Sequence, residues 1–97
     1  MRREFYKKLL NKHGIVQQGF KACEELGELI RAISRTIVLE VNGVVNTCNL
    51  VEEIADVRIM IEQLMLHYDI WEGDVEKTID LKIERQMERE KNDEYIG

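Results

Sequence analysis

The chain has 97 residues, a formal net charge of −5, 44% hydrophobic and 34% charged residues, and no proline. That length allows a single domain, residues 1–97, with a small core, and the composition excludes an intrinsically disordered chain. The acidic balance excludes nonspecific binding to a nucleic-acid polymer or an anionic membrane, and no apolar run reaches the length of a signal peptide or a membrane span, so a cytoplasmic protein is expected.

With no proline to break them, the helical patterns run on, and the chain reads as all-α: an antiparallel bundle of about four helices. A short first helix covers about Glu4 to Lys12 and ends near Gly14. The second runs from about Ile15 to Thr36, with Val16, Phe20, Cys23, Leu26, Ile30, Ile33 and Ile37 at helical spacing as its apolar side. Cys23 and Cys48 lack zinc-site spacing, and Cys23 falls on that apolar side, so simple buried thiols are expected rather than a disulfide. Between about Val38 and Thr47, Asn42-Gly43 flanked by Leu39, Val41, Val44 and Val45 is a hairpin signal, with an ordered loop as the equal alternative.

Asn49 reads as the N-cap of the third helix, with Glu52 completing a capping box. Leu50, Ile54, Val57, Ile61, Leu64 and Tyr68 form one stripe on it, and Ile59 and Leu66 mark a second side. A helix apolar on two sides needs cover on two sides, and in so short a chain the second cover is another subunit. Trp71 reads as an anchor before a last helix from about Asp74 to Asn92, followed by a frayed tail, residues 93–97.

Two acidic clusters interrupt the apolar helices: Glu24-Glu25-Leu26-Gly27-Glu28 and Glu53-Ile54-Ala55-Asp56. Side chains three or four apart share a helix side, so Glu25 points with Glu28, and Glu53 with Asp56. Glu53 projects to the edge of the apolar stripe, among Val57, Met60 and Leu64, with Asp56 one step further round beside Gln63. A solvated acidic face explains most such runs, and explains Glu24 taken alone, but buried carboxylates repel unless a positive species joins them. A divalent metal with oxygen preference is that species, magnesium first. On the last helix Lys82, Arg85 and Arg89 form a basic edge beside Val75, Ile79 and Gln86, fit for phosphates or for the acidic centre, with ordinary surface ion pairs as an equal alternative. His13 and His67 are isolated, and neither has a glutamate three residues before it, which argues against a di-iron bundle.

The order Glu-Glu-x-x-Glu, gap, Glu-x-x-Asp resembles the signature of the all-α nucleoside triphosphate pyrophosphohydrolases, the MazG-like group, over about Gly14 to Arg89. Ala22-Cys23-Glu24-Glu25-Leu26-Gly27-Glu28-Leu29 and Val51-Glu52-Glu53-Ile54-Ala55-Asp56-Val57 look like the small bacterial and phage members. The resemblance implies a magnesium site (manganese as the substitute) on Glu25, Glu28, Glu53 and Asp56, with Glu24 and Glu28 as the groups that orient and deprotonate water. It also implies that Lys82 and Arg85 match the family's Lys-x-x-Arg phosphate pair; where a second arginine commonly follows, this chain has Gln86. Gln18, a turn before the acidic cluster, is a candidate for the base or sugar, with an ordinary exposed glutamine as the alternative. The implied reaction is hydrolysis of a nucleoside triphosphate between the α and β phosphates, giving monophosphate and pyrophosphate, in a homodimer or homotetramer. A catalytically silent nucleotide-binding regulator and a helical interaction module are the other function classes that the chain admits.

Overall fold

The computed structural model describes residues 1–96, with side chains to Asp93. It is all-helical: α1 spans Arg2–Val41, α2 Cys48–His67 and α3 Glu72–Ile96, with no strand among the described residues. The two helices expected before residue 37 form one element, bent where Gly14 leaves helical geometry at φ 81°, ψ 160°. Only glycine adopts that pair of angles without strain, so the break belongs to this residue.

The hairpin alternative for 38–47 fails for a specific reason. Helix α1 continues through Val41, and Asn42-Gly43 ends it. Gly43, at φ 86°, donates its N–H to the Glu40 carbonyl at 2.9 Å, and the Val44 N–H reaches the Leu39 carbonyl at 2.8 Å. This is the paired cap that stops a helix with a left-handed residue. A tight strand turn wants the same positive φ, so Asn-Gly alone does not separate the two outcomes. The second helix repeats the device: Asp69, at φ 53°, donates its N–H to Leu66, and Ile70 donates to Met65 at 2.9 Å.

The start of α2 also differs from expectation. The cap position is Thr47, and the Asn46 side chain accepts a 3.1 Å hydrogen bond from the Cys48 N–H, so Asn49 lies inside the first turn and the Asn49–Glu52 capping box does not form. Residues 93–96, expected as a frayed tail, continue α3, and Gly97 lies outside the described residues.

Helices α1 and α2 pack as an antiparallel pair: Gln18 meets Gln63, Tyr6 meets Glu62, and Glu25 lies beside Asp56. The buried side chains are Tyr6, Gln18, Ala22 and Ala32 on α1 and Val57, Met60 and Gln63 on α2. Small alanines at the contact let the helix axes approach closely. The side of α1 chosen for the core is therefore the small and polar one. Val16, Phe20, Leu26, Ile30, Ile33 and Ile37 all face outward, and both cysteines are exposed, which corrects the expectation of a buried Cys23. On α2, Val57 is buried as expected, while Ile54, Ile61 and Tyr68 are exposed.

Among the described residues, the third helix packs on neither of the others. The elbow before it is held by the second cap and by the Trp71 indole, which lies so close over Gly73 that a Cβ there would come within 2.5 Å of the ring. Trp71 thus anchors the elbow while staying exposed rather than entering a core. The radius of gyration is 17.8 Å, against about 12.5 Å for a compact chain of this length.

Candidate metal centre

The antiparallel pairing turns the α1–α2 layer into a plate with two unlike faces. Side chains of Lys21, Glu24 and Glu28 leave α1 on the same side as Glu52 and Asp56 leave α2. Leu26, Ile33 and Ile37 leave α1 on the opposite side, with Ile54 and Ile61 from α2. One face carries carboxylates and the other is apolar and exposed.

Between the helices, at the carboxylate face, one oxygen each from Glu25, Glu53 and Asp56 lies within 4.8 Å of the other two. Glu25 and Glu53 are half-buried, and Asp56 is exposed. The Glu53 Oε2 atom is buried and accepts no hydrogen bond. Burial, then the charges of Glu28, Asp56 and Glu25, hold the Glu53 carboxyl above the ordinary carboxylate range. Glu25 is raised in the same way, by burial first and then by Asp56 and Glu28, with Lys21 opposing. An orphaned acceptor among repelling carboxylates is an arrangement that a cation would relieve. The donor set is all oxygen, which suits magnesium or manganese rather than zinc or copper.

Of the four expected ligands, Glu28 is not in this group; its Oε1 accepts a 2.9 Å charge-assisted hydrogen bond from Arg31 on the exposed side of α1. Its charge still acts on Glu53 and Glu25. Glu24 is exposed and lines an open groove of about 960 Å³ with Glu25 and Asp56. Away from the carboxylates, Phe5, Val16, Phe20 and Ile59 make that groove apolar. Gln18 is at the groove as well, but it is buried, not an ordinary exposed glutamine: its Nε2 donates to Gln63 Oε1 at 2.7 Å. Lys82 and Arg85 are not brought to the carboxylates within one chain, since among the described residues α3 packs on neither α1 nor α2.

No family model matches the chain, and neither a curated protein nor a solved structure matches it. The geometry of this centre and the motif resemblance are therefore what bear on its chemistry.

Two residues of this region, Gln63 and Lys21, carry roles that the sequence reading did not assign to them. Gln63 was legible as a polar residue three positions after Met60 on the inner stripe of α2, a place where a lone amide needs a partner. Lys21 lines the groove and sits one turn before Glu25, where helical spacing brings its charge close enough to oppose the rise of the Glu25 carboxyl.

Proposed function

We propose that the protein is a metal-dependent nucleoside triphosphate pyrophosphohydrolase of the MazG-like type, working as a homodimer or homotetramer. The observation that carries this reading is the convergence of Glu25, Glu53 and Asp56 from two helices, with Glu53 Oε2 buried and unpartnered. The order of the two acidic motifs in the sequence supports it independently. Magnesium or manganese, bound by Glu25, Glu53 and Asp56, would supply the positive charge that offsets the triphosphate oxygens as the α–β bond breaks.

The chain's own residues do the rest. Glu53, half-buried on the inner side of α2 one turn before Val57, offers its buried Oε2 to the ligand set. Glu28 joins the ligands by releasing Arg31, or stays with it and raises the basicity of the set through its charge. Glu24, exposed at the groove, accepts the proton of the attacking water at its carboxylate. The Gln18–Gln63 pair presents amide groups to a base or sugar in the groove, whose apolar walls fit a base face. Lys82 and Arg85 steady the departing pyrophosphate.

Turnover of a panel of standard and modified nucleoside triphosphates with magnesium tests the reading, with products separated by chromatography. Monophosphate plus pyrophosphate, lost on chelation, supports it. Metal-dependent nucleotide binding without turnover moves the protein to a silent regulator. A helical interaction module is the second reading, favoured by the exposed apolar face of Leu26, Ile33, Ile37, Ile54 and Ile61; neither turnover nor nucleotide binding leaves that reading standing alone.

A further inference from the structure

A second groove, of about 730 Å³, lies where the start of α1, the end of α2 and the elbow meet, and it shares no lining residue with the groove at the carboxylates. Its volume is within the range, about 300–1,000 Å³, of small-ligand sites. The part contributed by α1 is basic. Arg2 approaches Glu62 through Nε at 3.5 Å, and Tyr6 donates to the same Glu62 Oε1 at 3.1 Å. That carboxylate is therefore answered, and contact through Nε leaves the planar Nη pair of Arg2 available to a second oxyanion. Arg3 forms no ion pair among the described residues. The part contributed by the elbow is aromatic. Trp71, the one tryptophan of the chain, is 65% exposed although its indole is pinned over Gly73. Among the described residues no ring or cation stacks on it. A ring already fixed and left open loses little further freedom when a flat ligand covers it. Asp69 and Glu72, on either side of it in the chain, form no ion pair among the described residues and can accept N–H or O–H hydrogens.

We propose that the elbow groove binds an aromatic anion with the chemistry of a nucleoside monophosphate. The ring stacks on Trp71 over the half-buried Met65 and Leu66, the phosphate takes Arg2 and Arg3, and amine or hydroxyl hydrogens reach Asp69 and Glu72. A phosphate monoester carries about −1.5 to −2, which two guanidinium groups match. A triphosphate would exceed that charge and meet the repulsion of Asp69 and Glu72. An organic cation is the competing occupant of an indole with carboxylates nearby, and here it would sit against Arg2 and Arg3. A ligand spanning the arginines and Trp71 ties the start of α1 to the elbow that sets the direction of α3. The site is separate from the metal centre, so it stands or falls apart from the reading of the preceding subsection.

The test titrates the full chain with adenosine monophosphate in chelator, which keeps metal from the carboxylates. Equilibrium dialysis reads binding, and the emission of Trp71, the one tryptophan, reads its place. Saturable binding with a matching change in that emission is the expected result. Adenosine and inorganic phosphate, each carrying one half of the ligand, should bind at least about tenfold more weakly. Arg2→Ala/Arg3→Ala should weaken binding at least about tenfold, the scale of one lost charge-assisted hydrogen bond. Lys7→Ala/Lys8→Ala removes the same charge from exposed residues outside the groove and should leave affinity within about twofold at ordinary ionic strength. No saturable binding, or binding without a change in Trp71 emission, would overturn the proposal. So would equal losses in the two double variants, either half-ligand bound as tightly as the monophosphate, or choline bound in preference to it. Nucleotide turnover with magnesium plays no part in this readout, so an inactive protein leaves the elbow groove still decided by the titration.

Discussion

The α1–α2 layer and α3 are both helical, yet their helicity has different sources. In the layer, pairing decides the structure: Gln18 bonds to Gln63, Ala22 and Ala32 admit a close approach, and Val57 and Met60 fill the contact. In α3 the support is local. Glu72 and Asp74 sit in the first turn, where acidic side chains favour the helix dipole, and Gln86 donates to Glu90 one turn on at 2.8 Å. Helices held only by such terms are marginal in water, because most helix stability in proteins comes from packing a face. The difference teaches that substitutions in the layer will register first in folding, and substitutions in α3 only weakly there.

The sharpest way to break this contrast is Glu53→Gln, a layer residue whose loss should spare the fold. It is expected to cost at least about a hundredfold in magnesium-dependent turnover, as loss of a metal-positioning group does, with the far-ultraviolet circular dichroism unchanged. Turnover within a few-fold of wild type would remove Glu53 from the centre. Next, Lys82→Ala/Arg85→Ala should lower turnover about 10- to 100-fold, the scale of one or two charge-assisted hydrogen bonds, while the thermal midpoint of the layer holds. A collapse in helicity instead would show that α3 supports the fold directly.

Gly14→Ala sharpens the layer side. The backbone there is at φ 81°, ψ 160°, and forcing a Cβ onto it should cost about 1–3 kcal/mol, read by denaturant titration. Gln18→Leu should cost about 1–3 kcal/mol by orphaning the Gln63 amide, and Gln18→Leu/Gln63→Leu should recover most of it. A double variant as unstable as the sum of the singles would mean that the pair is not the unit that matters.

The smallest effect concerns pH. Glu53 and Glu25 are held above the ordinary carboxylate range in the folded chain, so the folded state binds more protons than the unfolded one just above that range. Stability without metal should therefore be greatest at or below the unfolded carboxylate value and fall as pH rises through the raised folded values. Melting against pH in chelator should show that decline, Glu53→Gln should flatten it, and saturating magnesium should reverse it. A stability that climbs with pH across the same window in chelator would contradict the repulsion at the centre.

How much of this was legible in the sequence can be argued residue by residue. Gly14 as a break, the inward setting of Glu53, and helices across all three elements follow from spacing and composition. The buried side of α1 does not follow, because periodicity marks Val16, Phe20, Ile30 and Ile37 as a stripe wanting cover but does not say whose cover. Within one chain, a single short partner helix chooses the closer contact of Ala22, Ala32 and Gln18. Asn42-Gly43 was ambiguous because a helix stop and a strand turn ask for the same backbone angle. At the candidate centre, spacing grouped Glu25 with Glu28, but helical spacing alone does not say which of the two sits closer to Glu53 and Asp56 across the α1–α2 contact.

The break at Gly14 has one more consequence. In an unbroken helix, each added or lost residue turns everything on one side of it by about 100° relative to the other. Because helical phase is interrupted at Gly14, length changes in residues 2–13 are insulated from Glu24, Glu25 and Glu28, whose aim is set by the segment beginning at Ile15. A length change in the N-terminal segment is therefore felt at its own tie to α2, the Tyr6–Glu62 hydrogen bond at 3.1 Å, and not as a rotation of the carboxylates out of line.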